Sequence, residues 1–139
     1  MLGYFRDARG TDKSIEKKPG GIFFGDSVHA LNSATAQQPK HPAPLIAVAV
    51  GPRSSSSGEI VPIMFHGQSN VRLFGQRTSG QSTANSTFPL PNGGAANITT
   101  AVTLDRHGKV FDAHIEPEVS TEKPVEDAAR WISRQCQHR

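Results

Sequence analysis

The segment that most constrains the fold is an apolar run, a serine-rich corner and a second apolar run in close succession. Leu45-Ile46-Ala47-Val48-Ala49-Val50 is short, apolar on both faces, and bounded by Pro44 and Gly51-Pro52. These are the marks of a buried strand, and two-faced apolarity suits a central parallel position. Arg53-Ser54-Ser55-Ser56-Ser57-Gly58-Glu59 then turns the chain. The pattern from Gly58 to Gly67 predicts a helix ending at a glycine C-cap. Pro62 lies inside it and removes a backbone donor, so the helix either starts late or kinks there. Val71-Arg72-Leu73-Phe74-Gly75 predicts a second strand. Strand, helix and strand joined by short links form a βαβ unit with a right-handed crossover.

The flanks read differently. Residues 1–20 are polar, with turn signals at Arg9-Gly10 and Pro19-Gly20-Gly21. Gly21-Ile22-Phe23-Phe24-Gly25 predicts a short strand or an isolated apolar anchor, and residues 26–44, rich in Ser, Ala, Gln and Pro, predict a long loop. Residues 1–44 thus form a poorly defined N-terminal segment, and residues 45–135 hold the recognisable elements. Downstream, Gln76 to Thr83 is a polar loop. Apolar stretches around Phe88, from Asn97 to Leu104, and at Val110-Phe111 are separated by Pro91-Asn92-Gly93-Gly94 and Arg106-His107-Gly108, which predicts an antiparallel meander. Pro124 opens a C-terminal helix with Glu126 and Asp127 in its first turn and Arg134 near its end, matched to the helix dipole. Val125, Ala128, Ala129 and Ile132 share one face and are the predicted packing stripe.

Composition excludes several classes of function. The net charge is +3 and the basic residues are scattered, so no nucleic-acid surface is expected. Cys136 is the single cysteine, and the six histidines lack metal-ligand spacing; no metal and no cofactor are expected. No apolar run reaches the roughly 20 residues that span a bilayer. The start of the chain has no apolar leader, and the compartment and oligomeric state are left open.

The serine corner has two readings. At a helix N-terminus, unpaired N–H groups and partial positive charge can stabilise an oxyanion beside a serine nucleophile. Alternatively, Ser56 three residues before Glu59 is a capping box.

Several segments in order resemble the C-terminal half of the catalytic domain of the C-terminal processing (tail-specific) serine proteases. They are Ser56-Ser57-Gly58-Glu59, Val71 to Gly80, Phe88-Pro89-Leu90-Pro91-Asn92-Gly93-Gly94, Ile98-Thr99-Thr100-Ala101, Asp105-Arg106-His107-Gly108-Lys109 and Ile115-Glu116-Pro117-Glu118. The resemblance covers residues 45–132, and more weakly Gly3-Tyr4-Phe5. It implies an α/β fold of the Clp protease–crotonase type, here a fragment with a βαβ unit, an antiparallel meander and a C-terminal helix. It also implies a serine-type peptidase acting on a peptide or protein, from a chain that begins within the catalytic domain of a longer protease.

The same resemblance puts the nucleophile at Ser56, with Ser55 and Ser57 as rivals in register. The backbone N–H of Ser57 becomes an oxyanion donor. Gln81 stands where the best-known branch has its lysine base, and a glutamine amide cannot take a proton at useful pH. The loop Thr78-Ser79-Gly80-Gln81-Ser82-Thr83 instead resembles the tricorn-like, non-lysine branch, whose base is a histidine from earlier in the chain. His29 is the in-chain candidate, with His66 and His114 less suitably placed. Glu116 and Glu118 could orient a base or pair with Arg77. The family's glycine-rich strand upstream of the nucleophile has no counterpart in residues 1–44. An inactive pseudoprotease, or a module of this fold that binds a hydrophobic ligand, is the alternative reading.

Overall fold

Parallel strands need a crossover, antiparallel ones only a turn, and the chain uses both. The computed structural model describes residues 1–18, 21–31 and 44–137, excepting the side chains of residues 28–31. Four short strands come first: β1 (Gly3–Asp7), β2 (Asp12–Lys18), β3 (Gly21–Phe24) and β4 (Ser27–Leu31), each antiparallel to the next. Then follow β5 (Ile46–Val50), α1 (Ser57–Phe65) and β6 (Val71–Gly75), with β5 and β6 parallel. β7 (Ala84–Pro89), β8 (Ala95–Asp105) and β9 (Val110–Phe111) form the meander. β10 (Val119–Ser120) adds in parallel to β6, and α2 (Pro124–Gln137) closes the described chain. One sheet has the order β4-β3-β2-β1-β8-β7, with β9 also on β8; the other is β10-β6-β5.

The βαβ unit, the meander and the C-terminal helix stand where the sequence predicted them. The stretch at Gly21–Phe24 is a strand, one of its two expected readings, whereas residues 1–18 differ from expectation, because they extend the larger sheet through β1 on β8. β2 reads as polar because Ile15 is its one fully buried side chain. Its strand form comes from pairing on both sides, a tertiary effect that local composition does not show. The predicted loop of residues 26–44 gives way to β4 at its start, and residues 32–43 lie outside the described residues.

β5 is also corrected. It lies at the edge of its sheet among the described residues, with β6 in the centre. Apolarity on two faces reports what covers the faces, not what pairs with the edge. α2 packs on β5 and β6, while Val48 meets a core of Ile63, Leu73, Phe111 and Ile115 from α1, β6, β9 and the segment beyond.

α2 packs by a face that only partly coincides with the predicted stripe. Ala128 and Ile132 are turned inward as expected, together with Pro124, Asp127 and Trp131, whereas Val125 is 67% exposed and Ala129 is exposed. The aromatic ring decides this. Trp131 lies 5.7 Å from the Phe74 ring and beneath the Arg72 guanidinium at 5.5 Å, a larger apolar contact than a valine offers.

The carboxyl end of β6 admits no side chain. Gly75 has φ 133°, and a Cβ there would lie 1.9 Å from the Val50 carbonyl oxygen. Its own carbonyl accepts the Thr121 N–H at 2.8 Å. Gly75→Ala is therefore expected to cost about 3 kcal/mol or more. Urea unfolding checks this; a loss within experimental error of zero would contradict the packing at this end of the sheet.

Candidate active site

The chain leaves β5 at Val50 and must reverse to begin α1 at Ser57. The Ser54 Oγ accepts the Gly51 N–H at 3.1 Å, and the Ser54 N–H donates to the Gly51 carbonyl at 2.8 Å, which tightens the turn. The last residue before the helix is Ser56, with φ 54° and ψ −122°. Among the described residues it is the one non-glycine with positive φ. Such backbone costs of order 1–3 kcal/mol and persists where neighbouring structure imposes it. A sharp strand-to-helix turn of this kind presents a hydroxyl at its apex.

The capping-box reading fails on geometry. Ser56 occupies the N-cap position but makes no side-chain cap bond. Its hydroxyl is exposed, and among the described residues the Ser57 N–H has no acceptor. Glu59 does not reach back to Ser56 either. It is fully buried and points into the loop after β6. Its carboxylate accepts from the hydroxyls of Thr78 and Ser79 (the latter at 3.3 Å), from the Gly80 N–H at 2.9 Å and from the Gln81 N–H at 2.6 Å. The Ser79 N–H donates to the Ser54 carbonyl at 3.0 Å, and the Ser55 hydroxyl donates to Gln81 Oε1 at 2.9 Å. The loop thus lies directly against the serine run.

The loop is fixed from its other side as well. Thr78 Oγ1 accepts the Ile115 N–H at 2.8 Å, and the His114 ring meets the Thr78 carbonyl at 2.6 Å. Ser82, fully buried, donates to the Phe111 carbonyl at 2.9 Å, and its own carbonyl accepts the Thr103 hydroxyl.

These contacts separate the candidates. Ser54 and Ser55 have engaged hydroxyls, those of Ser56 and Ser57 are exposed and free, and the positive φ singles out Ser56. Gln81 does lie beside the serine run, bonded to Ser55. His66 is about 15 Å along the helix from Ser56 at 1.5 Å per residue. There its ring pairs with the buried Asp105 at 2.7 Å, and Asp105 also accepts the N–H groups of His107 and Lys109. Glu116 pairs with Arg77 at 3.2 Å on the surface, while Glu118 accepts the Leu73 N–H at 2.7 Å. The side chain of His29 lies outside the described residues. Glu59, Thr78 and Ser82 were missed as organisers of the site, since Glu59 reads as the capping-box partner of Ser56 and hydroxyls in a polar loop read as surface. Among the described residues no group of three or more His, Cys, Asp or Glu could hold a metal, and no helix is long and apolar enough to cross a membrane.

The sequence model of peptidase family S41 matches residues 3–121. The chain belongs to peptidase family S41. The match begins in β1, so the first strands of this S41 chain belong to the family's pattern together with the βαβ unit. The nisin-resistance protein of Lactococcus lactis subsp. lactis is 31% identical over 128 residues, covering 90% of this chain and 40% of that protein. The structure of a lipoprotein from Streptococcus agalactiae matches with TM-score 0.70 at 25% identity, over 96% of this chain and 45% of that one. The photosystem II D1 C-terminal processing protease shares the fold, with TM-score 0.58 at 20% identity, over 96% of this chain and 30% of that one. The chain spans less than half the length of each of these proteins.

The Glu59 clamp makes stability depend on pH. Burial pushes this carboxyl up, but the donors from Thr78, Gly80, Gln81 and Ser79 outweigh it and hold it below its ordinary value of 4.5. A carboxyl lowered on folding stabilises fully above its ordinary value, and that contribution is lost as pH falls through the folded value. Asp105 is lowered too, with burial again opposed by amide N–H groups and His66, and adds to the same acid slope. Glu59→Gln is expected to cost roughly 2 kcal/mol at neutral pH, since its amide group would face two N–H donors. It should also flatten the loss of stability below about pH 4.5. Urea unfolding from pH 3 to pH 7 checks both; an unchanged acid slope would contradict the clamp.

Proposed function

We propose that this chain carries the nucleophile of an S41 serine peptidase, with Ser56 as the attacking residue. The observation that supports the reading most strongly is the state of Ser56. It is an exposed hydroxyl at a positive-φ apex, spared from capping, and next to a free helix N–H. In this reading Ser56 Oγ attacks the carbonyl carbon of a peptide bond and passes its proton to a base. The oxyanion that forms is held by the Ser57 N–H. The amine leaves with a proton, and water then releases the acyl group from Ser56. The substrate is a peptide or protein.

Gln81 supports placing the chain in the non-lysine branch. Its amide carries no proton-accepting nitrogen, and its oxygen is already engaged by Ser55. The base is then a histidine, for which His29 is the in-chain candidate. We further place the chain in the C-terminal part of the catalytic domain of a longer protease. The same glutamine supports the second reading, an inactive pseudoprotease or a binder of hydrophobic ligands on this fold.

A fluorophosphonate probe distinguishes the two readings. Adduct formation, followed by intact mass, is expected on Ser56 and should fall at least about a hundredfold in Ser56→Ala, while Ser55→Ala and Ser57→Ala retain it. Labelling that survives Ser56→Ala would contradict the assignment, and no labelling of the parent chain would favour the inactive reading.

A further inference from the structure

The corner bearing Ser56 borders an open groove of about 460 Å³ at the carboxyl ends of β5 and β6, where open α/β sheets receive their ligands. Val50, Gly51, Arg53 and Ser54 form one wall, and Gln76 and Glu122 contribute from the β6 and β10 sides. The volume falls within the range of small-ligand clefts.

Two charges line this groove, and both are unspent. Arg53 and Glu122 are exposed, and neither has an ion-pair partner among the described residues. They stand on different segments, Arg53 in the corner before the helix and Glu122 in the link between β10 and α2. The two do not form a salt bridge with each other, so both remain available to a ligand. Arg53 offers a planar fork of donors that matches a carboxylate, and Glu122 offers two acceptor oxygens to an ammonium or guanidinium. Their surroundings are fixed. The Gln76 N–H donates to the Val50 carbonyl at 3.2 Å, Thr121 Oγ1 donates to Asp127 at 2.6 Å, and the Lys123 N–H donates back to Thr121 Oγ1 at 3.0 Å.

We infer that this groove is a subsite for an extended peptide segment carrying one acidic and one basic side chain, the acidic one against Arg53 on the Ser56 side and the basic one against Glu122. The inference rests on the peptidase reading for what the bound segment is used for, but its charge preference is a property of the groove alone. Arg53 and Glu122 act as specificity-determining residues. They touch the substrate away from the reacting bond and leave the chemistry to Ser56.

Binding is measured on the Ser56→Ala chain, so turnover plays no part. Fluorescence anisotropy compares labelled hexapeptides with one Glu and one Lys in either order, Glu alone, Lys alone, or neither. The better-bound of the two doubly charged peptides is expected to bind about tenfold tighter than the uncharged one, and the gap should shrink with salt. Arg53→Glu should remove the preference for Glu, Glu122→Lys the preference for Lys, and the double exchange should favour the reversed order. Equal affinities for all five peptides, no binding of any, or a preference unchanged by both substitutions would overturn the inference. Fluorophosphonate labelling of the parent chain is run in parallel. Charge preference without labelling would leave the groove standing and remove the peptidase reading; labelling without charge preference would do the reverse.

Discussion

A buried carboxylate with no cation beside it can exist only if hydrogen bonds replace its lost water. Glu59 meets that condition with four donors, all from the loop Thr78 to Gln81. The helix N-terminus adds favourable field, since Glu59 lies in the first turn of α1. Helix and loop are thereby locked together across the end of the parallel sheet. Leaving any of these donors or the carboxylate unpaired would cost of order 1–3 kcal/mol apiece. The arrangement around the serine corner follows from this one group. The loop cannot lift away, Gln81 is held against Ser55, and the serines are presented in a fixed order.

The clamp also explains why Ser56 is left over. In a capping box, Glu59 would turn back to the N-cap residue and the serine would turn in to meet it. Here Glu59 is committed to the loop, and Ser56 is pinned between a strand that ends at Val50 and a helix that begins at Ser57. The backbone at Ser56 takes the conformation the two elements leave it, with φ 54°. Under the proposed reading, the strain is the cost of holding a nucleophile rigid beside a free N–H. Under the same reading, a glutamine at the family's lysine position changes the proton acceptor and not the scaffold, because Gln81 joins the clamp through its backbone N–H.

Much of this was legible in the sequence where the signal is local. β5, α1, β6 and the meander are set by apolar runs between glycine and proline signals, and the structure has them within a few residues of expectation. The order of short motifs carried the family, which the match over residues 3–121 shows. What could not be read depends on contacts distant in sequence. β2 is a strand because β1 and β3 flank it, although Ile15 is its sole fully buried residue. α2 takes its register from Trp131 on Phe74, a partner more than fifty residues away in the chain. Glu59 looked like a capping residue because its spacing from Ser56 fits; that its partners are Thr78 to Gln81 is a fact of tertiary structure. The serine run itself gave no register; hydrogen bonds set Ser56 apart from Ser54 and Ser55, and backbone angles set it apart from Ser57.

The central claim is that Ser56 is a strained apex and not a helix cap, and equilibrium stability separates the two. Glycine takes positive φ without steric cost, and at an ordinary serine N-cap its substitution loses a few tenths of a kcal/mol. Urea unfolding of Ser56→Gly beside the parent chain is the direct measurement. The account predicts a gain of about 1 kcal/mol from relieved strain. A loss of stability on the same substitution would contradict it and return Ser56 to the role of a cap.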